Sequence, residues 1–236
     1  MAKKGGTRHL NRIAAPKSFS IAKKAFAWAA KPSAGPHAAK EAVSLLSVLR
    51  DSLGVAADAR EAARAINQGR VLVDGRAVKN ERFPVGLMDV VSIPALKAHY
   101  RACIDSKERI VFRELSEQQA GFKYCKVLGK TTAKGGRTLL RLHDGRSLAF
   151  DKPVKVGDTL RLELDGKKQA SALPLKEDAL CLIIKGKHAG KLARLKSVIP
   201  GTATREAQAV LEGDGREFIT VLKYLFAVDE DFGGKA

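Results

Sequence analysis

No stretch of the 236 residues approaches the ~18 uninterrupted apolar positions that a membrane-spanning helix needs. Cysteine is scarce. Cys103, Cys125 and Cys181 are odd in number and far apart, which argues against a disulfide framework or a zinc site and for a reducing compartment. They read as small core residues in strands. Aromatics make up 6%, with a single tryptophan. The five histidines, His9, His37, His99, His143 and His188, are scattered without metal-ligand spacing, so no metal is expected. The basic start, Met1 to Gly6, has no apolar stretch behind it and does not read as a secretory signal. Most telling, the first forty positions contain no acidic residue at all.

What is abundant is positive charge: 43 Lys+Arg against 25 Asp+Glu, a formal +18. At 45% hydrophobic, the chain has enough apolar residues for one large or several small cores. The charge therefore belongs to a folded protein with a polyanionic partner, most simply nucleic acid. It is unevenly placed. Residues 1–40 carry nine basic residues and supply half the excess. Residues 41–100 are nearly balanced, 101–176 hold seventeen basic against nine acidic, and 177–236 hold nine of each.

The N-terminal arm, 1–40, is punctuated by Pro16, Pro32, Pro36 and Gly35, which oppose a long helix. Phe19, Phe26 and Trp28 interleave with its lysines. A mobile solvated tail does not need three such aromatics. An arm that orders on RNA uses cations for phosphates and aromatics for packing or stacking. Its candidate RNA contacts are Lys3, Lys4, Arg8, His9, Arg12, Lys17, Lys23, Lys24 and His37.

A compact module follows over 41–95. Ala42, Leu45, Leu46, Leu49 and Leu53 recur at helical spacing, and Gly54 reads as the stop. A second helix starts after Asp58, with Glu61 placed for a capping box. Ala59, Ala62, Ala63 and Ile66 form its apolar side; Arg60, Arg64, Asn67 and Gln68 form the other. Val71 to Val73 is a short strand, and Asp74-Gly75 suits a tight turn, flanked by Arg70, Arg76 and Lys79. Val90 to Ile93 is a further strand. The order of these parts, and above all the run Ala63 to Gly75, resembles the small RNA-binding module named for bacterial small-subunit ribosomal protein four. The resemblance implies that the second helix and the hairpin turn face RNA, through Arg60, Arg64, Gln68, Arg70, Arg76 and Lys79. A solvated helix beside an ordinary hairpin is the competing reading.

Residues 96–176 read as a central antiparallel β domain, barrel or sandwich. Its strands are Arg109 to Phe112, Phe122 to Leu128, Thr138 to Leu142, Ser147 to Phe150 and Thr159 to Leu164. Turns are expected at His143 to Arg146 and Asp165 to Lys167. In 177–236 a buried strand, Leu180 to Ile184, enters a Gly- and Lys-rich loop and leaves as a second strand. Lys185 to Leu195 resembles the KOW motif, with Ala193 at a usual glycine position and His188 at a frequent asparagine position. That resemblance implies a small β-barrel touching RNA through Lys185, Lys187, His188, Lys191 and Arg194. Phe218 to Leu222 and Tyr224 to Val228 supply further strands.

In this order the parts, with His9 to Lys17, Pro32 to His37, Phe122 to Val127 and Lys155 to Thr159, resemble the archaeal–eukaryotic, or e-type, family of small-subunit ribosomal protein four, in an archaeal version. The family implies an α+β, mostly β chain that binds small-subunit rRNA and other ribosomal proteins in the cytoplasm, without cofactor or catalysis. Enzyme motifs fail on inspection. Gly129-Lys130-Thr131 lacks the glycine a P-loop needs five positions earlier, where Tyr124 stands, and no Gly-x-Gly-x-x-Gly follows a strand. Two alternatives stay open: a component of an RNA-modifying enzyme, for which the ~200-residue catalytic domain lacks room, and a transcription elongation factor.

Overall fold

The computed structural model describes residues 7, 9–133, 136–150, 152–164, 170–213 and 215–232. Most of it is antiparallel sheet. The arm contributes a two-stranded ribbon, β1 (Leu10–Asn11) with β2 (Trp28–Ala29). It is tied down at several points. Phe19 and Ala15 are buried in the module's core, and the Ile110 amide donates to the Ser18 carbonyl at 3.0 Å.

The apolar run expected to be helical from Ala42 begins as strand β3 (Ala42–Ser44) paired with a later strand. Ser44 then caps: its Oγ accepts from the Ser47 amide at 3.4 Å, and α1 (Leu45–Ser47) continues as a π-turn, Val48–Ser52. The helical start was displaced because a sheet partner satisfies the backbone of the first three residues. Helix α2 (Ala59–Asn67) follows, with Ala62 and Ile66 fully buried. The expected capping box is incomplete. Asp58 makes no side-chain cap bond, and Glu61 instead accepts from the Ala57 amide at 2.9 Å.

β4 (Leu72–Val73) and β5 (Arg76–Ala77) form the hairpin around Asp74-Gly75. Both turn residues have positive φ, 51° and 73°, as a mirror-image type I turn requires. β6 (Pro84–Gly86) is the partner of β3, and β7 (Val90–Ile93) pairs with β4. The sheet does not end at residue 95. β8 (Ala98–Ile104) and β9 (Ile110–Leu115) extend it to five strands in the order β5-β4-β7-β8-β9.

A short helix, α3 (Glu117–Ala120), carries a full capping box from Ser116 and Gln119 and leads into the long strand β10 (Phe122–Thr132). β10 is the middle of a second sheet, β12-β11-β10-β13-β14. Here β11 is Thr138–Leu142, β12 Ser147–Ala149, β13 Thr159–Glu163 and β14 Ala170–Leu173. The turn read at Asp165 to Lys167 lies outside the described residues. The third sheet, β18-β17-β16-β15-β19, contains β15 (Leu180–Ile183), β16 (Leu192–Ile199), β17 (Gln208–Gly213), β18 (Arg216–Val221) and β19 (Leu225–Ala227). One apolar cluster stitches the three sheets together: Cys103 from the first with Met88 of the β6–β7 connection, Phe122 and Tyr124 from the second, Leu182 and Phe226 from the third. All three cysteines are buried in strands as free thiols.

Candidate nucleic-acid interface

Helix α2 lies with its alanines and Ile66 inward, so the opposite side is set by the helical repeat alone. Arg60 and Arg64 stand one turn apart on that side, with Asn67 and Gln68 continuing it, and all four are exposed. Beyond α2, Arg70, Arg76 and Lys79 are exposed as well. The hairpin is close to the helix end: a Cβ added at Gly69 would lie 3.8 Å from Lys79 Cε. Lys79 of the hairpin therefore lies at the C-terminal end of α2. Among the described residues, none of Arg60, Arg64, Arg70, Arg76 and Lys79 forms an ion pair, whereas the lysines and arginines of the third sheet commonly do. Unpaired cations crowded on one face repel each other and attract phosphate.

Within the turn, the Asp74 side chain is not part of this surface. Asp74 is buried, and a Cβ on Gly75 would sit 3.4 Å from the Leu164 carbonyl of the second sheet. Its carboxylate accepts from Lys123 at 2.7 Å and from Arg146 at 2.7 Å. Lys123 also reaches Asp89 at 2.5 Å and Asp144 at 3.3 Å. Burial disfavours every charge here, yet the net effect differs by group. Burial is the largest single influence on Asp89 and Asp144 and pushes both up, yet they fall below the usual carboxylate range because Lys123, joined by His37 at Asp89 and by the Arg146 amide at Asp144, outweighs it. The Lys123 ammonium is held charged by Asp89 and Asp74. Nothing in composition or periodicity announced this network. The available signal was Lys123 itself, a charge set between Phe122 and Tyr124 in an apolar strand.

Two arm residues leave the candidate interface. Arg12 is 1% exposed, pairs with Asp51 at 2.9 Å and lies 5.2 Å from the centre of the Phe26 ring. His37 is buried, its Nε2 3.0 Å from Asp89. Both read as RNA contacts from their cationic neighbourhood, but a carboxylate claims each, the half-buried Asp51 for Arg12 and the buried Asp89 for His37. Lys17, Lys23 and Lys24 are exposed, and so is His9, whose ring is 5.5 Å from that of Trp28. Phe19 is core, whereas Phe26 and Trp28 are 65% and 61% exposed. Lys3, Lys4 and Arg8 lie outside the described residues.

The Gly-Lys loop is largely docked. Lys185 pairs with Glu41 at 2.5 Å, and the Gly186 amide donates to Glu108 at 2.8 Å. His188 stacks on Phe218 at 4.2 Å, and Arg194 pairs with Asp178 at 3.1 Å. Lys187 and Lys191 are exposed. His143 is held in the interior. Its Nδ1 accepts from the Lys126 amide, its Nε2 faces the Leu87 carbonyl, and burial drags it down to about 4. Among the described residues no group of His, Cys, Asp and Glu has metal-binding geometry, and no helix is long and apolar enough to cross a membrane.

Known proteins resemble this chain over nearly its full length. Residues 4–40 match the RS4NT (NUC023) domain, 45–91 the S4 domain, and 96–169 the Ribosomal family S4e. The small ribosomal subunit protein eS4 of Methanothermobacter thermautotrophicus is 42% identical over 232 residues, 98% of this chain and 96% of its own. That of Methanosphaera stadtmanae is 42% identical over 231 residues, again 98% and 96%. The crystal structure of the 30S ribosomal protein S4e from Thermoplasma acidophilum superposes with a TM-score of 0.69 at 30% identity, covering 80% of this chain and 95% of the other. With identity at this level over nearly the full length, and an S4 domain presenting unpaired arginines on its second helix, the chain belongs to the ribosomal S4e family.

Proposed function

We propose that this protein is a structural constituent of the small ribosomal subunit that binds and stabilises small-subunit rRNA, with other subunit proteins as neighbours, in the cytoplasm. The observation that carries this reading is the unpaired cation face of α2 and its hairpin, Arg60, Arg64, Arg70, Arg76 and Lys79. Such a face grips phosphates and backbone shape, with few base-edge contacts. The arm adds Lys17, Lys23, Lys24 and the exposed Trp28–His9 pair as a second contact region. The strand-loop-strand from Leu180 to Leu195 is a KOW-type element, and Lys187 and Lys191 are its RNA-facing cations. We divide the chain into arm, S4-type module, central β unit and C-terminal β unit. The curated relatives are ribosomal proteins, so the role is architectural rather than enzymatic.

Sedimentation tests the reading. The protein added to extracts should travel with small subunits at moderate salt, not with RNA polymerase. Its affinity for an rRNA fragment should fall steeply between ~50 and ~200 mM salt, because each phosphate contact releases counterions. Salt-insensitive binding, or absence from small subunits, overturns it.

A further inference from the structure

A groove of about 420 Å³ runs between the second sheet and the third. Leu128 and Val156 line it from the second sheet's side, Val221 and Leu222 from the third's. The strand registers put Ile219 and Ile199 on the face of the third sheet that carries Val221. Leu128, Val156 and Ile219 are each more than half exposed, and Ile199 is exposed as well. Large apolar side chains left uncovered around one groove mark an interaction surface. The strand beside the groove is also open. β18 is the outer strand of its sheet, and no described strand pairs with its free side. The Leu222 amide donates to the Ala207 carbonyl at 2.9 Å. By antiparallel alternation, Ile219 and Val221 then turn their amides and carbonyls to the free edge. Proteins blunt such edges with charge or proline, yet Phe218-Ile219-Thr220-Val221 has neither. The charges at the groove are already matched. Lys223 pairs with Glu206, and the Lys126 ammonium donates to the Lys223 and Leu225 carbonyls at 2.8 and 2.6 Å. Lys196 pairs with Glu217 on β18. A phosphate therefore gains far less here than at the unpaired arginines of α2.

We propose that the free edge of β18 and the groove beside it take an extended, apolar segment of another small-subunit protein. The segment adds a sixth strand to the sheet, bonded to the open amides and carbonyls of Ile219 and Val221. Its alternate side chains reach toward Leu128 and Val156. Strand addition of this kind draws affinity from main-chain hydrogen bonds and specificity from side-chain pockets. RNA has no peptide ladder to offer, and its phosphates meet a neutral, apolar lining. The proposal rests on the ribosomal reading but concerns a surface apart from α2 and the arm.

The test uses the full chain assembled into small subunits. Leu128 and Ile219 are replaced, one at a time, by the photo-reactive p-benzoyl-phenylalanine. Both positions are exposed, so the melting temperature should hold. Each should cross-link to the same subunit protein, within one apolar stretch of its sequence. Hydrogen exchange supplies the second readout: the Ile219 and Val221 amides should exchange fast in the free protein and slowly in the subunit. Ile219→Lys should cut the cross-link from position 128 by ~5–30-fold, the loss expected for an interface anchor, and leave rRNA affinity unchanged. Cross-links that reach only rRNA, a second copy of this chain, or nothing overturn the proposal. So do amides that exchange equally fast in both states. If the unsubstituted chain does not enter small subunits, the ribosomal reading falls, and this proposal with it.

Discussion

The Lys123 ammonium in β10 lies 2.7 Å from the Asp74 carboxylate in the first hairpin's turn, and both side chains are at least 95% buried. A turn that the sequence presents as a surface feature is thereby fixed to the second sheet. Asp89, Asp144, Arg146 and His37 complete the cluster, which draws on the arm, the module and the central sheet. The geometry sets where the α2 face points relative to the rest of the molecule, and so links packing to RNA binding.

Removing the hub cation should expose how much it holds. Lys123→Met keeps the apolar stem but leaves Asp74 and Asp89 buried beside each other. Breaking a buried pair from one side costs about 3–5 kcal/mol. Denaturant unfolding of the variant should show a loss of that order. A loss under about 1 kcal/mol would mean the network is solvated in solution.

Acid should weaken the fold in two stages. Burial first, and Lys123 second, pull His143 from 6.5 to about 4. The unfolded chain then takes the proton before the native state does, so stability falls as pH drops from 6.5 and levels off below 4. By pH 5 this one group removes about 2 kcal/mol. Asp89 and Asp144, depressed by Lys123, add stability above their unfolded value of 3.8 and lose it as pH falls through their native values. Asp74 runs the other way, raised by burial and then by Asp89, so it adds stability as pH falls from its native value to 3.8, above the window in which Asp89 and Asp144 lose theirs. Urea midpoints at pH 7 and pH 5 check the first stage. His143→Gln should flatten the difference between them.

Much of this was readable in advance. The hydrophobic alternation gave the strands from Phe122 to Leu164, and the 3.6-residue repeat separated Ala62 and Ile66 from Arg60 and Arg64. Local signals of this kind survive because each depends on residues a few positions apart. The fates of Arg12, His37 and Lys185 were not readable. Each is claimed by an acid far away in sequence, Asp51, Asp89 and Glu41. A local count of charge ranks all the arm's cations alike, and only tertiary pairing separates those that face solvent. The sheet crossing residue 95 was hidden for the same reason, since β8 looks like the start of a new unit until β7 pairs with it.

That separation predicts opposite phenotypes for two kinds of arginine. Arg60→Ala and Arg64→Ala should leave the melting temperature within about a degree and weaken rRNA binding. Each lost phosphate contact should lower the slope of log affinity against log salt by about 1. Arg12→Ala should do the reverse, lowering stability by removing the Asp51 pair while the salt slope holds. Filter binding over a salt series, paired with thermal melts, distinguishes the two. Identical behaviour of Arg12→Ala and Arg64→Ala would contradict the burial of Arg12.

Trp28 offers a direct reporter, since it is the chain's one tryptophan and lies 61% exposed beside His9. If the arm stacks on unpaired bases, adding rRNA should quench its fluorescence. Trp28→Ala should weaken binding by about 1–3 kcal/mol, the usual worth of one base–aromatic stack, with little change in stability. Unchanged emission at saturating rRNA would place the stacking surface elsewhere.

The docked Gly-Lys loop leads to the last prediction. Gly190 has φ of 78°, and a Cβ there would lie 2.8 Å from the Ile104 carbonyl and 2.9 Å from the Asp105 carbonyl carbon. Both obstacles are backbone, so no side chain can swing aside. Gly190→Ala must therefore strain its own turn or lift the loop off the β8–β9 connection, taking the Gly186–Glu108 bond with it. A cost of about 1–3 kcal/mol is expected for forcing such a conformation on a residue with a side chain. Gly186→Ala separates the two causes. It shares a positive φ of 96° but has open space around its Cβ, so it carries the conformational strain without the clash. Thermal melts should therefore rank Gly190→Ala below Gly186→Ala. Equal losses would show that the loop's dihedral angles, and not its seat against the first sheet, set the stability of this junction.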